Sequence, residues 1–137
     1  MRNFKKAALY AAVLFLFLLT WLLMGASCSF TTANVKNALM TTAIDESNQP
    51  ADSVTEFDVA STAYLSAELH NAPDDTTITF VWYYEGEVVD RVSIDNQGYS
   101  DTMLSSNMGV PQAGAYMVEV YIDDREDPDQ SVEFTVK

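Results

Sequence analysis

From Thr62 to the C terminus, apolar and polar residues alternate in short runs separated by clusters of turn residues. A period of two puts successive side chains on opposite faces, so each run predicts a half-buried β-strand. Thr62–His70 sets Leu65, Ala67 and Leu69 on one face, and Asn71–Asp75 (NAPDD) ends it with residues that favour turns. Thr77–Glu85 (TITFVWYYE) is rich in β-branched and aromatic residues, with Ile78, Phe80, Trp82 and Tyr84 on one face. Glu85–Glu87 is a tight turn into VVDRVSI, where Val88, Val92 and Ile94 are expected to share a face and Asp90 interrupts the pattern. After the turn DNQG (Asp95–Gly98), Tyr99–Ser106 predicts a weaker strand with no preferred face, and NMGVPQAG (Asn107–Gly114) reads as a loop. Ala115–Ile122 (AYMVEVYI) alternates cleanly, with Tyr116, Val118, Val120 and Ile122 inward and Met117, Glu119 and Tyr121 outward. An acidic turn, Asp123–Gln130, precedes a last strand with Val132, Phe134 and Val136 inward.

Upstream, Phe30 to about Asp58 is polar and small-residued, with a turn cluster at Asn48–Pro50, the composition of a tether. Val35, Leu39 and Ile44 are apolar enough for a short edge strand over Val35–Ile44. That gives six strands, seven with the early one. The expected core is Leu65, Leu69, Ile78, Phe80, Trp82, Val92, Tyr116, Val118, Val120, Phe134 and Val136. Outside the N-terminal apolar run, neither a helical period nor an internal repeat is present, so the pattern predicts an all-β chain folded as an antiparallel β-sandwich of about seven strands. A length of 137 residues suits one such domain.

The N terminus follows another rule. Arg2, Lys5 and Lys6 precede Ala7–Met24, which carries no charge, the layout of an export signal with an apolar helix. The run from Ala7 to Ala26 would reach roughly 30 Å as a helix, enough to span a bilayer. Three readings therefore compete: a plain cleaved signal, an uncleaved single-pass anchor, and a lipoprotein signal cut before Cys28. The residues MGASC (Met24–Cys28) resemble the lipobox of bacterial lipoproteins, with Gly25, Ala26 and Ser27 as the small residues before the Cys. That resemblance implies a diacylglycerol on the Cys28 thiol. The cysteine count favours it, because the single Cys of an exported chain has no intramolecular partner. Two or three acyl chains hold a protein firmly where one does so marginally. The expected layout is a signal peptide over 1–27, a polar tether with a possible first edge strand over 28–57, and the sandwich over 58–137. The expected location is a cell membrane or, as Ser29 after the Cys permits, an outer membrane, with the domain outside the cytoplasm.

The segment FVWYYEGEVVDRVSI, followed by GAYMVEVYIDD and SVEFTV, resembles immunoglobulin-like sandwich domains of microbial envelope proteins. Trp82 falls where those domains place a core Trp, and Gly114–Val120 matches their penultimate strand. The resemblance covers about Ser53–Lys137 and lacks the Cys pair of antibody domains; it implies the fold and says little of function, because this fold hosts many binding roles.

Charge and chemistry narrow the choice. Four Lys and Arg and all 20 Asp and Glu lie after position 27, a net −16 that repels phosphate backbones and argues against nucleic-acid binding. His70 is the sole histidine, at a strand end, so neither an acid–base pair nor a zinc set is in view. No cofactor is expected, nor an enzyme. The acidic turn places Asp123, Asp124, Glu126, Asp127 and Asp129 within seven residues and is the candidate calcium site, although Arg125 sits inside it. Its competing role is a solvated turn. The outward residues Val81, Tyr83, Met117 and Tyr121 form the other candidate, a patch for a protein or glycan partner if their strands are neighbours.

Overall fold

A computed structural model describes Thr31–Lys137, and these residues form eight strands joined by turns and loops. The strands are β1 (Asn34–Thr41), β2 (Glu56–Phe57), β3 (Ser61–His70), β4 (Thr77–Tyr84), β5 (Glu87–Asp95), β6 (Thr102–Val110), β7 (Gly114–Ile122) and β8 (Gln130–Val136). One sheet has the order β1-β3-β6 and the other β2-β8-β7-β4-β5. All pairings are antiparallel except β2 with β8, which is parallel. No helix among the described residues is long and apolar enough to cross a membrane. The signal, with Gly25, Ala26, Ser27 and Cys28, lies outside the described residues.

The alternation places the core. Every residue of the expected core is buried except Val92, which is half-buried on the edge strand β5. Phe134 is the aromatic hub, with ring centroids 5.3 Å from both Phe57 and Tyr116 and 6.2 Å from Trp82. The Trp82 indole N–H donates across the sandwich to Ser106 Oγ at 3.2 Å, which satisfies the one polar hydrogen this side chain carries into the interior.

Several expectations are corrected. Residues 31–57 do more than tether, because β1 pairs along β3 and β2 along β8, so the sandwich begins well before residue 58. The first strand ends at Thr41. Ile44 instead bridges Pro50 in a loop that lies on β3 and β6, where Asn48 accepts hydrogen bonds from Ser66 Oγ and Ser105 Oγ, both at 2.8 Å. A bulge between Lys36 and Leu39, with Asn37 at φ 52°, shifts the alternation so that Met40 enters the core opposite Leu65 while Leu39 faces Ser66. The weak strand is longer and later than expected. Gly109 pairs with Thr62 in β6, leaving only Pro111–Ala113 as the loop.

A second bulge corrects the β5 face. Trp82 pairs with Asp90 but Tyr83 pairs with Val88, so Val89 is an extra residue. One inserted residue inverts every side chain beyond it. Val88 therefore lies on the outer face beside Tyr83, away from Val92 and Ile94. Glu85 and Gly86, at φ 47° and 81°, make the two-residue turn that closes the β4–β5 hairpin.

Candidate functional site

The outer face of the five-stranded sheet carries the proposed patch. β4 and β7 are direct neighbours, which sets Tyr83 opposite Met117, Val81 opposite Glu119 and Thr79 opposite Tyr121. The hydroxyls of Tyr83 and Tyr121 both donate to one oxygen of Glu119, the former at 2.9 Å. An outward-pointing acid in an alternating strand looks solvated in sequence. Here it joins two aromatic rings into a single unit.

Electrostatics follow from that contact. Partial burial and the Glu119 carboxylate raise the Tyr83 phenol above its ordinary pKa. The Glu119 hydrogen bond, reinforced by burial, raises Tyr121 well above it. Both phenols therefore stay protonated as donors at any physiological pH. Val81 is 1% exposed, so it packs beneath this group and is a floor rather than a contact residue. Tyr83, Met117 and Tyr121 remain half-buried and accessible. An open cleft of about 460 Å³ continues the patch toward β8, with Thr55, Tyr83, Ala115, Met117, Glu133 and Thr135 among its walls.

The acidic turn is organised differently. Asp129 accepts from Arg125 Nη1 at 2.8 Å and from the backbone N–H of Val35, and Asp123 accepts from Thr77 N–H at 2.9 Å. Arg125 Nη2 donates to Ala33 O at 2.7 Å and to Thr31 Oγ1 at 2.9 Å. Asp124 and Asp127 point to solvent with Glu126. Among the described residues no three His, Cys, Asp or Glu side chains converge as a metal-binding group. Arg125 and Asp129 thus act as a hook that holds the start of β1 against the β7–β8 turn. In the sequence alone the arginine looks like an intruder in a cation site.

His70 ends β3 and is flanked on both ring nitrogens, by Glu68 at 2.9 Å and Asp101 at 3.1 Å. Glu68 chiefly, helped by Asp101, raises the imidazole pKa against a partial desolvation. His70 in turn holds Glu68 low, and Ser100 with His70 holds Asp101 low. Two carboxylates flank the ring, the arrangement of an ion-pair clamp between β3 and the segment entering β6.

No family model matches the sequence, and no curated protein matches it. Among solved structures, the CARDB domain from Pyrococcus furiosus, described in complex with di-metal ions, is similar with a TM-score of 0.51 at 12% identity, covering 84% of this chain and 96% of that one. The alkylpurine DNA glycosylase AlkC from Pseudomonas fluorescens, bound to DNA containing an abasic site analog, is similar with a TM-score of 0.51 at 14% identity over 77% of this chain. The chain spans only 30% of the glycosylase's length. Likeness at this identity shows the fold, a two-sheet β-sandwich, and leaves function to the site.

Proposed function

We propose that the chain is a non-enzymatic, lipid-anchored envelope protein that displays its β-sandwich outside the membrane as an interaction module. The outer face of the five-stranded sheet is its contact surface. The observation that carries this reading is the Tyr83–Glu119–Tyr121 unit, seated on Val81 and continuous with the cleft beside Met117 and Glu133. Aromatic rings held rigid by a shared acceptor lose little entropy when they are covered, which suits a binding surface. The similarity to a CARDB domain supports the sandwich scaffold, and the MGASC stretch supports the anchor on Cys28. The di-metal ions of the Pyrococcus domain are not carried over, because the carboxylates of Asp123 and Asp129 are occupied by Thr77, Arg125 and Val35.

Two measurements test the reading. The N-terminal peptide from protein made in its own membrane should begin at Cys28 and carry the added mass of acyl chains. A peptide beginning at Met1 or Arg2 would establish an uncleaved anchor and refute lipidation. Chemical cross-linking in intact membranes should join the wild-type chain to a defined partner. A Tyr83→Ala/Met117→Lys variant of unchanged stability should lose that product, and its retention would remove the outer face as the contact surface.

A further inference from the structure

One edge of the five-stranded sheet is β5, and half of it stands clear of the sandwich. Glu87 to Arg91 are exposed on both faces, and Val88 and Val89 are each 51% exposed. On one side β5 pairs with β4. Among the described residues nothing pairs with its other side. Such an edge presents backbone donors and acceptors to an incoming strand, apart from the Arg91 N–H, which donates to Asp90 Oδ1 at 2.8 Å, and apolar residues on it favour pairing.

The side chains dictate what that strand would be. By register, Glu87 shares the face of Tyr84 and Asp90 that of Trp82, so both carboxylates lie on the inner face of the edge, beyond the cover of the other sheet. Val88 and Arg91 lie on the outer face, with Val88 continuing the Tyr83–Met117 row. A neighbouring strand would set alternate residues against Glu87 and Asp90 on one face and against Val88 on the other. Cations complement the first row and apolar or aromatic groups the second. A second copy of this chain meets a different result. Its own β5 would bring Glu87 and Asp90 against like charges on a molecule of net charge −13.

We infer that β5 accepts an extended segment of a basic partner protein, with cationic and apolar residues alternating, as a sixth strand on the five-stranded sheet. This deepens the interaction-module reading and rests on it. The edge and the tyrosine face then form one surface, with the strand supplying register and the outer face supplying side-chain contacts.

The test uses the full chain in detergent micelles and a fluorescent peptide of alternating lysine and valine, with its glutamate–valine counterpart as the comparison. The lysine peptide should bind, and the glutamate peptide should not. A Glu87→Lys/Asp90→Lys variant should bind the lysine peptide at least about tenfold more weakly than an Asp74→Lys/Asp75→Lys variant, which makes the same charge change at the opposite end of β4. Peptide binding should slow hydrogen exchange of β5 amides and leave those of β8 unchanged. Equal affinity in the two variants, or binding without slowed β5 exchange, would mean nonspecific charge attraction and would overturn strand addition. Concentration-dependent dimerisation relieved by Val88→Lys would overturn it in favour of a second copy. If the peptide binds neither variant nor wild type while Tyr83→Ala/Met117→Lys still abolishes the membrane cross-link, strand addition falls and the interaction module stands. If that variant also leaves the cross-link intact, the module reading falls with it.

Discussion

Trp82 brings one hydrogen-bond donor into an interior with few acceptors, and Ser106 on the opposite sheet is the acceptor it finds, at 3.2 Å. Removing that acceptor should leave a buried N–H unsatisfied. Ser106→Ala is expected to lower unfolding stability by about 1–3 kcal/mol in denaturant titrations. In a Trp82→Phe background, which has no donor to orphan, the same change should cost less, so the two losses are not additive. Additive losses would show that the bond contributes nothing. The tryptophan was legible in the sequence because it sits in a clean alternation. Its partner was not, since Ser106 lies in a stretch of small polar residues where neither face is marked. Glu119 was hidden for a related reason. Its outward direction could be read, but only the β4–β7 register brings two phenols onto its carboxylate.

At the scale of elements, cleanly alternating strands such as β7 emerged nearly at their true bounds, and the departures gather at bulges and at the early segment. A bulge adds one residue with no strong local signature, yet it sends Val88 and Met40 to faces opposite those a strict period of two assigns. The early segment looks like a tether because its polar composition is real. What makes it a strand is a contact 94 residues away, where Asp129 accepts the Val35 N–H and Arg125 grips Ala33 and Thr31. Charge-assisted bonds of this kind contribute about 1.5–3 kcal/mol. Asp129→Ala should therefore destabilise the sandwich by about that amount and accelerate amide exchange at Val35, with smaller effects in β7. Unchanged exchange at Val35 would show that β1 is held by its pairing with β3 alone. The same hook accounts for the acidic cluster's failure to present a converging set of ligands, since its most buried carboxylate is already engaged.

For the whole molecule, the excess of 20 acidic over 7 basic residues makes charge repulsion a global force opposing compaction. Between pH 8 and the carboxylate range the acids stay ionised, so this repulsion is nearly constant with pH and is relieved by salt instead. The His70 clamp supplies the pH dependence in this window. Its imidazole pKa is raised by Glu68 and Asp101, so its contribution is complete below the unfolded value of about 6.5 and fades as pH climbs through the raised folded value. Glu68 and Asp101, and also Asp52 held by Thr42 and Thr41, have lowered pKa values, so their contribution is lost as pH drops through the carboxylate range. The melting temperature should accordingly peak at mildly acidic pH, above that range and below the imidazole's. Salt separates the two causes. At about 0.5 M ionic strength the long-range repulsion is screened, so Tm should rise at every pH above the carboxylate range, while the short His70 contacts and their pH dependence persist. His70→Gln should remove the pH dependence that survives in high salt. A Tm that falls steadily from pH 8 to pH 6 would refute the clamp, and a Tm at pH 8 that salt leaves unchanged would refute the repulsion argument.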